Sequence, residues 1–305
     1  MTLAPIALFV YNRPEHVRAT VEALQRNEWA VQSNLHVFSD GPKSAEDARP
    51  VTAVRDYLNH ISGFKSVKII AQPINCGLAQ SIIAGVTSLS EQSGRVIVVE
   101  DDLITSPYFL RYMNEALALY ENHPEVISIH GYVYPVKARL PDSFFIRGAD
   151  CWGWATWKRG WALFNPDGRS LLEELGARKL TREFDFNDTF GYTEMLRKQI
   201  AGAADSWAIR WYASAFLQNK LTLYPGRSLI HNVGNDDSGT HCGTTRIYDV
   251  EVSQEPVKLQ KLALHEDLQA RVTLEQYFRS LRPSRAEPFW NRLTKFGKAL
   301  IARTG

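Results

Sequence analysis

Three adjacent carboxylates, Glu100, Asp101 and Asp102, directly follow a run of apolar β-branched residues at positions 96–99. Such a run is typical of a strand buried at the centre of a sheet, so the carboxylates should emerge where the strand leaves the core. Neighbouring like charges repel, and proteins keep them where a cation or hydrogen-bond donors balance them. Mg²⁺ and Mn²⁺ take oxygen ligands, and one or two carboxylates suffice when a nucleoside diphosphate supplies further oxygens. The triplet therefore predicts a divalent metal site.

The same carboxylates could instead begin a helix. Asp102 precedes a largely apolar stretch at residues 103–120, and negative charge stabilises a helix N-terminus. Ser106 and Pro107, however, provide a better cap and first turn for that helix. We therefore favour the metal interpretation.

Composition narrows the class of protein. The 305-residue chain has a formal net charge of +2 and three widely spaced cysteines, Cys76, Cys151 and Cys242. The charge gives no indication of nucleic-acid binding, and the odd number of cysteines argues against a disulfide framework and for a reducing compartment. Residues 3–10 are apolar but too short to cross a bilayer and lack the flanks of a signal peptide, so we expect a strand there. The expected location is the cytoplasm, with peripheral contact to the inner face of a membrane as an alternative.

Predicted strands and helices alternate through the first half of the chain. Strands are expected at residues 6–11, 35–39, 67–71 and 96–99, and helices from Pro14, at 45–60 and at 78–89. This alternation predicts an α/β fold with a mainly parallel twisted sheet and helices on both faces, which binds ligands at the carboxyl ends of its strands. The polar residues expected at those ends are Asn12, Arg13, Asp40, Asn75 and the acidic triplet.

The second half contains four tryptophans within ten residues, from Trp152 to Trp161. Core packing is expected for most of them. Trp152 and Trp154, on either side of the flexible Gly153, could instead face a cleft and contact a sugar ring. Further along, Asp205 is expected to cap a helix that extends to about residue 219.

The order of these segments resembles the GT-A-fold glycosyltransferases, which use nucleotide-sugar donors, and more closely N-acetylglucosaminyltransferase I and its bacterial family-2-like relatives. The resemblance covers residues 4–245. It rests on Tyr11-Asn12-Arg13, Ser39-Asp40, Val98-Val99-Glu100-Asp101-Asp102-Leu103, Ser106-Pro107-Tyr108-Phe109, Gly153-Trp154, Asp205-Ser206-Trp207-Ala208-Ile209-Arg210, and residues 228–243 with His241-Cys242-Gly243.

The resemblance implies roles on the donor side. It implies that the cofactor is Mn²⁺ or Mg²⁺ and that the donor is a nucleotide sugar with UDP as the expected nucleotide. Asp102 would hold the metal, with His241 touching the metal or the diphosphate, although a solvated loop histidine is an equal alternative for His241. The predicted nucleotide-sugar contacts are Asn12 and Arg13 beside the nucleotide, Asp40 on the uracil or ribose, Glu100 on the ribose, Asp101 on the sugar or diphosphate, and Asn75 at the same strand ends.

On the acceptor side the resemblance implies that Asp205 is the catalytic base. The relatives have two acidic residues before the tryptophan, whereas this chain has Asp205-Ser206. The base could therefore lie elsewhere, for instance at Asp150 or Glu194, and Asp205 could be a simple helix cap. The predicted substrate contacts are Trp152, Gly153 and Trp154.

The predicted reaction is an inverting, metal-dependent transfer of a hexosyl or N-acetylhexosaminyl group to a hydroxyl of a glycan or lipid-linked acceptor. A metal neutralises the leaving diphosphate, and a base contributes ~10²–10⁴-fold by removing the acceptor proton. A sugar nucleotidyltransferase is an alternative, but it would need a Gly-x-Gly-Thr-Arg loop after the first strand, where this chain has Asn12-Arg13-Pro14. A carbohydrate-binding protein without catalysis is a further alternative, and a dinucleotide oxidoreductase is disfavoured because Gly-x-Gly-x-x-Gly is missing from the first helix.

Three segments are expected within this organisation. Residues 1–130 would form the nucleotide-sugar-binding half of the domain, 131–250 the acceptor-binding half, and 251–305 a helical, basic extension. Helices are expected at 259–268 and 272–281, followed by a basic amphipathic segment at 289–303. That segment could lie on an anionic membrane surface, pack on the domain or form a dimer contact.

Overall fold

The computed structural model describes residues 2–236 and 245–282. Its first half contains the alternating elements that the sequence predicts. They are β1 (Ile6–Val10), α1 (Pro14–Gln25), β2 (Asn34–Ser39), α2 (Ala45–Leu58), β3 (Ser66–Ala71), α3 (Leu78–Ser93) and β4 (Arg95–Glu100). Pro14 lies in the first turn of α1, where its missing N–H is not needed, and Ser44 caps α2 through a reciprocal capping box with Asp47.

The second half adds shorter strands and most of the helices. The strands are β5 (Leu103–Thr105), β6 (Val126–His130), β7 (Ser143–Arg147), β8 (Trp154–Trp157), β9 (Leu221–Pro225) and β10 (Ile230–Asn232). The helices are α4 (Phe109–Leu119), α5 (Lys158–Trp161), α6 (Gly168–Ala177), α7 (Thr181–Phe184), α8 (Tyr192–Ile200), α9 (Trp207–Leu217) and α10 (Leu268–Ser280).

Eight strands form one sheet in the order β3-β2-β1-β4-β8-β6-β9-β7. The first four are mutually parallel, β8 is antiparallel to β4 and β6, and β9 is parallel to β6. Because β7 is antiparallel to β9, only β8 and β7 run against the other strands of this sheet. The predicted α/β fold with a mainly parallel sheet is confirmed, and the carboxyl ends of β1, β2, β3 and β4 share one edge.

Both faces of the sheet are covered. Along β1, Ile6, Leu8 and Val10 belong to one apolar cluster, whereas the alternate residues Ala7 and Phe9 belong to another. All five residues of the strand are buried. A strand that is covered on both faces needs apolar residues at every position, so its sequence is a continuous apolar run that can be recognised without the structure.

The predicted helix at residues 103–120 is partly wrong. Residues 103–105 form β5, which pairs antiparallel with β10, and Leu103 lies opposite Asn232. The helix begins only at Phe109, and its cap residue is Tyr108 rather than Ser106. The Ser106 hydroxyl accepts the Tyr108 N–H at 3.2 Å and donates to the Ser253 carbonyl at 2.5 Å. The strand depends on a partner more than a hundred residues away, which local periodicity does not reveal.

The C-terminal prediction is half confirmed. Residues 259–268 do not form the expected helix; Leu259, Leu262 and Leu264 instead pack individually against the main core. The second predicted helix is α10, capped by Asp267. The basic segment at 289–303 lies outside the described residues, and the proposed division into three segments stays a prediction. No helix among residues 2–236 and 245–282 is long and apolar enough to cross a membrane.

Candidate active site

Arg13 lies directly against the acidic end of β4. It is the cap residue between β1 and α1, and β1 is the neighbour of β4 in the sheet. Its Nη2 donates to Asp101 Oδ1 and, at 2.9 Å, to Asp102 Oδ2. Asp101 is held further by the Tyr11 N–H at 3.4 Å, and its carbonyl accepts the Thr20 hydroxyl at 2.8 Å. The structure thus brings together side chains that the strand-end rule predicts to meet.

One guanidinium does not balance three carboxylates. Burial, together with the charges of Asp102 and Asp101, raises the pKa of Glu100. Burial also raises the pKa of Asp101, although its contact with Arg13 opposes the shift. Residual repulsion therefore remains in the triplet, and a second cation beside it would lower the free energy of the ionised form.

The donor set suits a hard divalent ion. The Asp102 side chain is 18% exposed, and none of the described residues donates a hydrogen bond to its Oδ1. Within the described ranges, no group of three or more His, Cys, Asp and Glu side chains is arranged to hold a metal. These residues fit an ion held by one carboxylate and completed by substrate oxygens and water, the arrangement Mg²⁺ favours. His241 lies outside the described residues, so its contact with the metal stays a prediction.

The chain after β10 closes over Asp102. The Val233 N–H donates to the Asp102 carbonyl at 2.9 Å, and the Gly234 N–H donates to Asn232 Oδ1 at 2.8 Å. Gly234 lies so close to the Asp102 carboxylate that a methyl group would overlap Oδ2. Gly234 was not among the predicted site residues; its only sequence signal is a glycine directly after the short strand.

Asp40 joins the loops that follow β2 and β3. Its carboxylate accepts the N–H groups of Gly41 at 2.8 Å, Cys76 at 2.8 Å and Gly77 at 3.0 Å, and the Asn75 side-chain amide at 3.0 Å. Asn75 also donates to the Gly41 carbonyl at 3.0 Å. Asp40 and Asn75 therefore shape this edge of the sheet, and their contact with a nucleotide stays a prediction.

The side chains of Asn12 and Arg55 link the loops at the carboxyl ends of these strands. The Asn12 amide donates to Asp47 at 2.8 Å, which links the end of β1 to the first turn of α2. Arg55, which sequence reasoning missed, donates to the carbonyls of Asp40 at 3.1 Å and Gln72 at 2.6 Å. Its Nε also donates to the Ser39 hydroxyl at 3.2 Å. Its only sequence signal is an arginine in a helix, and most of its partners are backbone carbonyls that no motif encodes.

The prediction that Trp154 faces a cleft is wrong. Its side chain is 0% exposed and stacks on Trp207, with 5.5 Å between ring centroids. It pairs with Val98 in the sheet register and packs into the same apolar cluster, so burial is imposed by its strand position. Trp154 is a core residue.

Trp152 is only partly buried. Its ring meets Tyr132 edge-on at 4.8 Å between centroids and Tyr248 at 5.6 Å. The intervening Gly153 has φ of +64°, and a Cβ there would lie 2.6 Å from the Ile230 side chain, so glycine is required. Substrate contact by Trp152 and Gly153 stays a prediction.

Asp205 is not the cap of α9. Ser206 is the cap residue and accepts the Ile209 N–H at 3.3 Å. The Asp205 side chain is 71% exposed, and its Oδ1 lies 3.3 Å from Arg210 Nη2. The alternative Glu194 is also exposed and lies 3.6 Å from Arg197. The role of Asp205 as the base stays a prediction.

Asp150, the other alternative, lies in a different environment. Its side chain is 21% exposed, and it accepts the Cys151 N–H at 2.8 Å and the Tyr224 hydroxyl at 3.3 Å. His130 Nε2 lies 3.9 Å from Oδ1. This carboxylate is bound by neutral donors and is still accessible.

No protein-family model matches the chain, and no curated protein sequence matches it. Similar solved structures include the mannosyltransferase PcManGT from Pyrobaculum calidifontis in complex with GDP-Man and Mn²⁺, at 14% identity, over 57% of this chain and 46% of that one, with a TM-score of 0.36. Residues 1–349 of S. aureus TarS match at 12% identity over 77% and 61% of the chains, with a TM-score of 0.42. Mouse xyloside xylosyltransferase 1 matches at 14% identity over 58% and 74%, with a TM-score of 0.32. The match spans less than two thirds of the first two proteins. In fold, the chain has the mainly parallel α/β sheet that its sequence predicts.

Proposed function

We propose that the protein is an inverting, metal-dependent glycosyltransferase. It moves a sugar from a nucleoside-diphosphate donor, expected to be a UDP-sugar, to a hydroxyl of a glycan or lipid-linked acceptor. The observation that carries the proposal is the acidic triplet at the end of β4, which Arg13 balances only in part. A divalent cation would supply the missing positive charge, and the nucleoside diphosphate bound with it would supply the remaining oxygen ligands.

Arg13 supports this proposal with its second terminal nitrogen. Nη2 is occupied by Asp101 and Asp102, whereas Nη1 is buried and has no hydrogen-bond partner among the described residues. A buried donor without an acceptor costs free energy, and a diphosphate oxygen is a strong acceptor for a guanidinium. Arg13 would therefore hold the triplet through one nitrogen and the leaving group through the other.

Asp102 would hold Mn²⁺ or Mg²⁺ beside this contact, with Gly234 setting the position of its carboxylate. When bound, the ion supplies Lewis-acid stabilisation of the departing diphosphate, worth several kcal/mol. His241 would add a contact on the same side. Asn12, Asp40, Asn75, Glu100 and Asp101 would position the nucleoside and the sugar along the strand ends.

The acceptor hydroxyl attacks the anomeric carbon from the side opposite the diphosphate. The new carbon–oxygen bond forms as the bond to the diphosphate oxygen breaks, so one displacement inverts the anomeric centre. A carboxylate must take the acceptor proton. The sequence predicts that Asp205 is this base. In the free protein Asp205 is largely exposed and pairs with Arg210, so substrate binding would have to change both features.

The test is UDP or GDP release from a panel of nucleotide sugars, measured with Mn²⁺ and with EDTA. We expect release from one donor that depends on Mn²⁺ and falls at least about 100-fold in Asp102→Asn. Asp188→Asn is the matched control, because Asp188 is exposed, pairs loosely with Arg182 at 3.6 Å, and has a positive φ that asparagine tolerates. Metal-independent release, or equal activity of Asp102→Asn, would contradict the proposal.

A further inference from the structure

Building on the proposed glycosyl transfer, we propose that Asp150 is the general base and that the aromatic side chains around it form the subsite for an acceptor sugar. Asp150 precedes β8, the strand that lies between β4 and β6. Trp154 at the start of β8 pairs with Val98 of β4, two residues before Glu100. Residues 150–153 therefore run beside the strand end that carries the acidic triplet.

The antiparallel register of β4 and β8 brings the chain before Trp154 alongside the chain after Val98, so Asp150 and the triplet lie at the same end of the β4–β8 pair. In agreement, burial raises the pKa of the Cys151 thiol, and the charges of Asp150, Glu100 and Asp102 raise it further. A base on the acceptor side and a metal ligand on the donor side need this arrangement, with the anomeric carbon between them.

The Asp150 carboxylate accepts hydrogen bonds from neutral donors, which leaves its charge free to attract a proton. The Cys151 N–H and the Tyr224 hydroxyl, both neutral, donate to its two oxygens. His130 Nε2 accepts the Trp152 N–H at 3.2 Å and so carries no proton to share with Asp150. Burial lowers the pKa of His130, which keeps its ring neutral. No Lys or Arg of the described residues forms an ion pair with Asp150, so its charge remains available to an acceptor proton.

Asp205 offers the opposite environment. Its nearest charged partner is Arg210, a buried guanidinium that also donates to the Ser206 carbonyl at 3.1 Å. An acceptor hydroxyl would have to compete with this fixed cation for the carboxylate oxygen. The side chain is also largely exposed, where a hydroxyl competes with bulk water. These contrasts favour Asp150 for proton removal.

Several aromatic side chains lie near Asp150, and the hydroxyl of one of them, Tyr224, donates to its carboxylate. Tyr132 meets Trp152 and Tyr134 edge-on, with ring centroids 4.8 Å and 5.2 Å apart. The charge of Asp150 reaches Tyr132, Tyr134 and Tyr192, where it adds to burial in raising the pKa of each phenol. These phenols stay neutral, and the Tyr132 hydroxyl donates to the Tyr248 carbonyl at 2.8 Å, which fixes its ring. The partly exposed Trp152 ring, two residues after the Asp150 carboxylate, suits the apolar face and a hydroxyl of a sugar.

In the reaction, the proton of the acceptor hydroxyl passes to an Asp150 oxygen. The hydroxyl oxygen forms the bond to the anomeric carbon as the diphosphate leaves with the electron pair of the broken bond. Protonated Asp150 then loses the proton to solvent through its exposed side. No oxidant, reductant or further reactant is required beyond the nucleotide sugar and the acceptor.

The experiment compares Asp150→Asn, Asp150→Glu and Asp205→Asn in UDP release, with water and with millimolar methyl glycosides as acceptors. Asp150→Asn is expected to lower kcat by ~10²–10⁴-fold and to abolish the acid limb of the pH–rate profile. Its Kd for UDP with Mn²⁺, measured by titration calorimetry, should stay within about threefold of wild type, since the donor side is intact. Asp150→Glu should recover part of the activity, and the loss in Asp205→Asn should be smaller than in Asp150→Asn.

Trp152→Ala tests the aromatic subsite. It should raise the KM for the methyl glycoside at least about tenfold, the cost of a lost stacking contact of ~1.4 kcal/mol, with an unchanged KM for the donor. An active wild type in which Asp150→Asn keeps its turnover, or loses less than Asp205→Asn, overturns this proposal and leaves the glycosyltransferase proposal standing. Equal weakening of donor binding and turnover in Asp150→Asn also overturns it. A wild type without metal-linked UDP binding or release overturns both.

Discussion

Replacing Arg13 with methionine removes the cation from the acidic strand end while keeping a side chain of similar length. The guanidinium is 17% exposed and bridges two carboxylates that are also largely buried. After the substitution, Asp101 and Asp102 face each other and Glu100 without a counter-charge. The change therefore tests whether the three carboxylates repel one another strongly enough to destabilise the protein when no cation is present.

The magnitude follows from that burial. Removing one partner of a buried ion pair costs ~3–5 kcal/mol, and partial access of solvent to Asp102 favours the lower end of this range, about 3 kcal/mol. For a chain of 305 residues the loss corresponds to a fall in Tm of about 5 °C. The loss should shrink as the pH is lowered towards 4, because protonated carboxylates need no cation. Saturating Mn²⁺ with UDP should restore part of it, since ligand binding at 100-fold above Kd adds ~2.7 kcal/mol.

The assay is urea unfolding followed by circular dichroism at several pH values, with and without UDP and Mn²⁺. Arg111→Met is the matched control: Arg111 also contacts two carboxylates, Glu28 and Glu115, but is 38% exposed. Exposed pairs contribute ~0–1 kcal/mol, so this control should unfold close to wild type. Equal unfolding of Arg13→Met and wild type at pH 8 would refute the reasoning.

Three further predictions address the same framework. Gly234→Ala should push the Asp102 carboxylate aside and weaken Mn²⁺-linked UDP binding ~10–100-fold in calorimetry; unchanged affinity would contradict its placement. Because burial raises the pKa of Glu100 from 4.5 to about 8, metal-free wild type should lose unfolding free energy relative to Glu100→Gln as pH rises through that window; a constant difference would contradict the burial of its charge. Arg271→Met removes the cation shared by the buried Glu275 and the partly buried Glu266, which should cost ~3 kcal/mol in urea unfolding; a loss below about 1 kcal/mol would show that the network is not stabilising.

The first half of the fold could be predicted because its signals are local. The apolar run of β4 and the proline that begins α1 determine their own conformation, and parallel strands bring their carboxyl ends to one edge. The approach of Arg13 to Asp101 and Asp102 follows from that geometry. The sharing of one guanidinium between both carboxylates does not, because it depends on side-chain rotamers that topology leaves open.

The second half required information that lies far along the chain. Trp154 has the same local signature as Trp152, yet one is fully buried and the other partly exposed, because Trp154 lies in β8 whereas Trp152 precedes the strand and the positive φ of Gly153 turns the chain between them. Ser206 rather than Asp205 caps α9, since either side chain suits a cap and the backbone selects between them. The side chains around Asp150 come from separate parts of the chain, with His130 in β6 and Tyr224 in β9. No contiguous sequence motif therefore predicts this site.

The most direct test of a cation-bridged diphosphate at the end of β4 is anomalous X-ray diffraction from crystals soaked with UDP and Mn²⁺. We predict one anomalous peak at coordination distance from the Asp102 carboxylate and from diphosphate oxygens, with Arg13 Nη1 donating to the diphosphate. UDP bound elsewhere on the protein, or Mn²⁺ bound away from Asp102, would contradict the assignment.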